Sequence, residues 1–127
     1  MYDKLCNVDV LKGKTLSSVR AVDDVIVFET IDGEMYKMFH MQDCCESVYI
    51  ESIVGDLDDL VGEPLLMAEE GTNLFDTLRE AGKDTASDGS HTWTFYKFAT
   101  RKGYVDIRWY GTSNGYYSES VDLYKEK

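Results

Sequence analysis

The part of the sequence that most restricts the fold is a pair of aromatic segments near the C-terminus. Residues 92–99 (TWTFYKFA) and residues 104–110 (YVDIRWY) alternate apolar and polar side chains on either side of a four-residue linker. Two such segments joined by a short linker that contains glycine predict a β-hairpin. The register that places Lys97 opposite Asp106 gives an opposite-charge cross-strand pair and puts Tyr96 and Phe98 on the face shared by Val105, Ile107 and Trp109.

A second hairpin is predicted in the first third of the chain. Residues 24–31 and 34–40 are rich in β-branched, apolar and aromatic side chains, and the dipeptide Asp-Gly at positions 32–33 separates them. An Asp-Gly pair at this place predicts a type I′ turn, because both central residues of that turn need positive φ. Alternation in residues 46–53 indicates a third strand, and residues 116–124 are predicted to form the last one.

The segments between these strands have weaker patterns. In chain order we expect a strand or short helix at 15–22, one helical turn at 55–62, a strand at 64–70, a helix at 73–81 and a polar surface loop at 82–90. Together the patterns predict one domain over residues 1–127. Its class is α+β and β-rich, with antiparallel hairpins or a meander of about six strands and one or two short helices.

The net charge of −11 is concentrated in the middle of the chain. Residues 1–20 sum to +2 and residues 81–127 to +1, whereas residues 21–80 carry sixteen acidic and two basic side chains. Such a field repels nucleic-acid phosphates, so no direct nucleic-acid binding is expected. It suits a partner protein with a basic surface, although solubility alone also accounts for an acidic composition. The candidate acidic binding surface is a run of carboxylates in one predicted turn, Asp56, Asp58 and Asp59.

The chain has three cysteines, Cys6, Cys44 and Cys45. Neighbouring cysteines rarely bridge each other because the bond geometry is strained, so we expect no disulfide framework and a reducing cytoplasm. The first ten residues contain no apolar leader, and no apolar run approaches the roughly 20 residues of a membrane helix. The sequence therefore predicts a soluble, cytoplasmic domain that has no membrane partner.

The densest group of reactive side-chain types lies in residues 40–46. The candidate functional cluster consists of His40, Asp43, Cys44, Cys45 and Glu46. Imidazole, carboxylate and thiolate all ligate zinc, and a thiolate beside histidine is a nucleophile, so a small metal- or thiol-dependent enzyme is one interpretation. Its metal ligands would be His40, Cys44 and His91.

Two observations oppose that interpretation. Zinc sites usually separate their cysteines by two to four residues, and an acidic field disfavours a thiolate. The sequence also contains no phosphate-binding loop, dinucleotide fingerprint, serine-hydrolase elbow or zinc-protease motif. We therefore assign no catalytic residue and expect neither a cofactor nor a metal. A buried cysteine and local hydrogen bonds explain the same residues.

Aromatic side chains near the C-terminus form a further candidate surface. It consists of Arg108, Tyr110, Tyr116 and Tyr117. Such side chains stack on the bases of a nucleotide, or they anchor a protein interface. The alternative is ordinary cross-strand packing, which aromatic residues in strands commonly provide.

Two blocks of the sequence carry a resemblance to a known family. They are HMQDCCESV, which begins at His40, and TWTFYKFATRKGYVDIRWYGTSNGYYSESV, which begins at Thr92. The chain resembles, over residues 12–123, a family of small uncharacterised bacteriophage proteins that carry a domain of unknown function. The resemblance implies a phage or prophage accessory protein that acts inside a bacterial cell, and it transfers no catalytic residue.

The leading hypothesis is a non-enzymatic accessory protein that acts by binding. Its partner would be a host protein with a basic surface, such as a defence protein or a nucleic-acid-handling protein that it inhibits, or a small nucleotide-like ligand that it sequesters. The two alternatives are an enzyme centred on the cluster of residues 40–46 and a structural or assembly protein of the virion. The sequence alone leaves the oligomeric state open.

Overall fold

Strands account for most of the computed structural model, which describes residues 2–42, 45–72, 90–113 and 119–126. The described residues contain nine strands and two short 3-10 helices. In chain order these are β1 (Tyr2–Cys6), η1 (Val8–Leu11), β2 (Leu16–Val22), β3 (Val25–Thr30), β4 (Met35–Phe39), β5 (Ser47–Val54), η2 (Leu57–Leu60), β6 (Met67–Thr72), β7 (Ser90–Thr100), β8 (Gly103–Ser113) and β9 (Asp122–Glu126).

The strands form two sheets whose apolar faces share one core. The first sheet has the order β1-β9-β4-β3-β2 and the second the order β5-β8-β7-β6, and every neighbouring pair is antiparallel. Phe28 of β3 and Phe98 of β7 meet between the sheets, with ring centroids 5.3 Å apart. Alternation within each strand supplies this core, because every second side chain points to the same face. The largest fully buried side chain is Trp109 of β8.

The hairpin predicted near the C-terminus is confirmed in its register. Strands β7 and β8 pair along their whole length, and Lys97 lies opposite Asp106. Val105, Ile107 and Trp109 are at most 1% exposed, so their shared face is the inner one. The local alternation was sufficient here because Tyr96 and Phe98 of β7 lie on the same inner face as these three side chains and are also buried.

The hairpin of β3 and β4 is also present, but its turn differs from the predicted type. Only Gly33 of the Asp-Gly pair has positive φ, at 88°. The side chain of Thr30 accepts a hydrogen bond from the Glu34 amide at 3.0 Å, which stabilises a longer connection. The tight turn with two positive φ values lies instead between β2 and β3, at Asp23 (50°) and Asp24 (59°). Aspartate tolerates this conformation better than most residues.

The predicted α+β class contains more helix than the described residues have, whereas the predicted β-rich, antiparallel character is confirmed. The described residues contain nine strands rather than six, and their helical segments are single 3-10 turns of four residues. Bridges pair Leu16 with Val61 and Thr15 with Pro64, so the chain beyond η2 returns to the first sheet instead of continuing a helix. The helix predicted at 73–81 lies outside the described residues.

The last strand begins later than predicted, at Asp122, because pairing with β1 and β4 fixes its limits. Two strands, β1 and β6, are polar enough that alternation alone did not define their limits. Among the described residues, none of the helical segments has the length and apolar character that crossing a bilayer requires.

Candidate functional site

The described part of the cluster at residues 40–46 is built around a buried hydrogen-bonded pair. His40 directly follows β4, and Glu46 directly precedes β5. The His40 Nε2 atom lies 2.6 Å from Glu46 Oε2, and the two side chains are 4% and 0% exposed. The other ring nitrogen, Nδ1, lies 2.7 Å from the carbonyl oxygen of Ser120, just before β9. The pair therefore joins three chain segments at one place.

The chemistry of these partners restricts the protons. A carbonyl oxygen only accepts, so His40 Nδ1 carries a hydrogen and donates it to Ser120. The Nε2 atom then either accepts from a protonated Glu46 or donates to its carboxylate. Both arrangements leave the pair without net charge, which suits its burial. Because both ring nitrogens are engaged, metal ligation by His40 would break one of these hydrogen bonds.

Of the three remaining members of this cluster, the structure describes only Cys45. Cys45 is disulfide-bonded, a bond that the expectation of no disulfide framework did not anticipate. The neighbouring loop is tied to the pair, since Gln42 Nε2 donates to the Glu46 carbonyl at 2.7 Å. Asp43 and Cys44 lie outside the described residues. Within the part of the chain that is described, no three His, Cys, Asp or Glu side chains are grouped to hold a metal ion.

A second buried carboxylate belongs to Glu119, which directly precedes Ser120, the residue whose carbonyl oxygen contacts His40. Its residue is 8% exposed, and its Oε2 accepts from Ser113 Oγ at 2.5 Å. Its Oε1 atom is buried and has no hydrogen-bond partner among the described residues. Gly111 makes room for it, because a Cβ there would lie 2.9 Å from Glu119 Cβ. Sequence reasoning missed this residue, since an isolated glutamate after a polar turn gives no signal of burial.

The candidate acidic surface forms one turn, as its spacing suggested. Asp56 caps η2 by accepting a hydrogen bond from the Asp58 amide at 2.9 Å. Both residues are exposed, whereas Asp59 is partly covered and lies against Gly103. The Lys102 ammonium binds the carbonyl oxygens of Asp58 and Val61, at 3.2 and 2.8 Å, and forms no ion pair with the carboxylates.

The candidate aromatic surface is partly described, on the outer face of the second sheet. Tyr110 lies within 5.9 Å of Tyr49 and His91 and within 4.8 Å of Trp93, measured between ring centroids. Burial raises the pKa of Tyr110.

His91 therefore has an aromatic environment, since its Nδ1 lies 2.5 Å from the Tyr110 hydroxyl. Arg108 pairs with Glu51 across the sheet at 2.6 Å, and Glu51 also accepts from the Trp93 indole at 3.3 Å. Tyr116 and Tyr117, the other two members of the predicted surface, lie outside the described residues.

A cleft that the sequence did not indicate lies beside the first sheet. It has a volume of about 440 Å³ and is lined by Leu5, Cys6, Asn7, Val10, Lys14, Glu34, Tyr36 and Lys125. The two oxygens of Glu34 bind Lys14 at 2.9 Å and Lys125 at 3.0 Å. The hydrogen bonds from Lys14 and then Lys125 lower the pKa of Glu34, and burial raises the pKa of Tyr36.

Of the comparisons with known proteins, only the one with protein-family models gives a match. No curated protein and no solved structure matches the chain. A family model described as "Domain of unknown function (DUF7448)" matches residues 9–123, which include the residues of all the sites above except Leu5, Cys6, Asn7 and Lys125 of the cleft. Since this match spans nearly the whole sequence, the chain belongs to the DUF7448 family.

Proposed function

We propose that this protein is a non-enzymatic binding protein whose partner is a protein with a basic surface. In this proposal it is an accessory protein of a bacteriophage or prophage, and it acts in the cytoplasm of the host bacterium. Inhibition of a host defence protein or of a nucleic-acid-handling protein is the specific form of the hypothesis. A cleft for nucleic acid in such a partner is lined by cations, which an acidic surface complements.

The observation that carries the proposal is the geometry of the turn at η2. Asp56 and Asp58 are exposed, and no ion pair engages either carboxylate among the described residues. The backbone beneath them is fixed, because the Lys102 ammonium and the Thr100 hydroxyl hold the carbonyl groups of the turn. Exposed carboxylates on a fixed backbone lose little conformational entropy when a cationic partner binds.

The test neutralises these charges without removing the helix cap. Asp56→Asn keeps a side-chain oxygen for the cap, and the Asp58 carboxylate makes no hydrogen bond or ion pair with the described residues that Asp58→Asn would remove. A control with the same net charge combines Asp32→Asn with Glu69→Gln, which are exposed and lie elsewhere. Capture from a bacterial lysate is measured by quantitative mass spectrometry at low and high salt.

The expected result is a selective loss of capture. At about 0.5–1 kcal/mol for each exposed charge contact, the double variant should bind its partner roughly 5- to 30-fold more weakly and with a flatter salt dependence. The control should retain capture. Equal capture by the protein and the Asp56/Asp58 variant, or equal loss in the control, would contradict a specific role for the turn.

The cytoplasmic location has its own test, in the redox state of Cys45. Disulfides are rare in a reducing cytoplasm, so in that compartment the Cys45 disulfide of the structure should be reduced, and Cys45 should be alkylated when intact cells are treated with a thiol reagent. Peptide mass spectrometry reports that modification directly, with Cys6 as the internal reference for a thiol. Cys45 that remains oxidised in intact cells would place the protein in another compartment.

A further inference from the structure

The cleft beside the first sheet brings Lys14, Glu34, Tyr36 and Lys125 together. Its volume of about 440 Å³ falls within the range of small-ligand sites. Two ammonium groups and one carboxylate give it a local charge of +1, in a chain whose net charge is −11. An anion is therefore repelled less here than over the acidic remainder of the surface.

The backbone positions of the charged residues are fixed from several directions. The Lys14 amide donates to the Leu11 carbonyl at 3.0 Å, and its own carbonyl accepts from the Leu65 amide at 2.9 Å. Glu34 is held through two hydrogen bonds with Thr30. Lys125 belongs to β9, which pairs with a strand on each side. The three side chains thus converge from two hydrogen-bonded connections and one strand, which lie at separate places in the sequence.

The hydrogen-bonding capacity of the lysines exceeds what Glu34 uses. Each ammonium has three donors, and each makes one contact with a Glu34 oxygen. The side chains of Lys14 and Lys125 are 31% and 40% exposed, so their remaining donors are accessible from the cleft. An ordinary phenol is already protonated at neutral pH and burial raises the pKa of Tyr36 further, so this side chain adds no negative charge to the cleft.

We propose that this cleft binds the phosphate group of a small ligand between Lys14 and Lys125. Lysine is a common phosphate ligand, and it acts as a compact point charge. Glu34 preorganises the two ammonium groups in the unliganded protein and competes with the incoming anion. The inference goes beyond partner binding by the acidic turn and does not depend on it, since the cleft lies on different residues.

The role of Glu34 gives the proposal a distinctive signature. If Glu34 competes with the anion, Glu34→Gln should raise the affinity for phosphate, by about tenfold if the removed repulsion is near 1.4 kcal/mol. A purely structural ion-pair triad would give no such gain. The Lys14→Gln and Lys125→Gln variants should each weaken binding about tenfold or more, while Lys97→Gln on the outer face of the second sheet should leave it unchanged.

The experiment is an NMR titration of the full chain at constant ionic strength. Inorganic phosphate and adenosine monophosphate are the two probes, with sodium chloride replacing either one in the reference samples. Saturable shifts at the amides of Lys14, Tyr36 and Lys125 would support the site. Equal affinities would identify free phosphate as sufficient, and a tighter fit of the nucleotide would identify the nucleotide as the ligand class.

Two outcomes would overturn the proposal. One is the absence of saturable shifts with both probes in both the protein and the Glu34→Gln variant. The other is unchanged binding in Lys14→Gln or equal loss in Lys97→Gln. Neither outcome affects the acidic turn, so failure here is separate from failure of the proposed partner binding. A thermal unfolding curve of each variant shows whether it remains folded.

Discussion

Removing the carboxyl group of Glu46 should lower the free energy of unfolding. The size of that loss tests how the buried pair of His40 and Glu46 is protonated. The Glu46→Leu substitution leaves His40 Nε2 buried without its acceptor or donor, while the Nδ1 bond to Ser120 remains. Because the bond to Ser120 is kept, the cost expected at His40 for the neutral arrangement is that of one buried nitrogen atom without a partner. We expect a loss of about 2–3 kcal/mol in unfolding free energy, below the ~3–5 kcal/mol of an uncompensated buried charge.

The conservative variant Glu46→Gln separates hydrogen bonding from volume. Its amide can donate to Nε2 of a neutral His40, so the loss should be about 1 kcal/mol or less. Urea unfolding followed by tryptophan fluorescence measures both values, since Trp93 and Trp109 are buried. For a domain of this size, the Glu46→Leu loss corresponds to a melting temperature lower by about 10 °C.

A double-mutant cycle completes this test. Replacing both partners with leucine removes the unpaired atom, so the double variant should be at least about 1 kcal/mol more stable than the sum of the single losses predicts. The reasoning is refuted if Glu46→Leu unfolds within about 0.5 kcal/mol of the unmodified protein, which is the scatter of a surface substitution. Equal losses in Glu46→Gln and Glu46→Leu would likewise exclude the neutral arrangement.

Three further predictions follow from the packing. Desolvation raises the pKa of Glu70, so its charged form opposes folding. Glu70→Gln should therefore increase the free energy of unfolding at pH 7, as measured by urea unfolding curves. This gain should vanish as the pH falls below the pKa that Glu70 has in the unfolded chain. Gly111→Ala should cost about 1–3 kcal/mol by overpacking against Glu119, measured by the same unfolding curves, and an unchanged midpoint would contradict that contact. Asp24→Ala removes the acceptor 3.0 Å from the Ile50 amide and places alanine at positive φ. We expect the free energy of unfolding to fall by about 1–2 kcal/mol and hydrogen exchange at the Ile50 amide to become faster. Unchanged exchange at Ile50 would refute the contact.

The sequence by itself determined the parts of the fold that depend on neighbouring residues. The register of β7 with β8 follows from alternation along two adjacent segments, because a shift by one residue would turn the buried side chains of one strand, such as Tyr96 and Phe98, to the outer face. The single turn at η2 was likewise predicted from local spacing, whereas its capping by Asp56 was not. Net charge and its concentration in the middle of the chain are properties of composition alone.

Only the tertiary structure decided which distant residues meet. Strand β9 inserts between β1 and β4, and this pairing brings Lys125 to Glu34 and places the Ser120 carbonyl against His40. The partners are separated by 80 or more residues, so no local pattern encodes the contact. Such contacts depend on the entropy of closing long loops, on strand pairing and on burial of the whole core. These contributions to the folding free energy involve the whole chain, so they cannot be recognised in a single segment of the sequence. The same pairing converts an isolated histidine and two scattered lysines into a buried pair and a charged cleft.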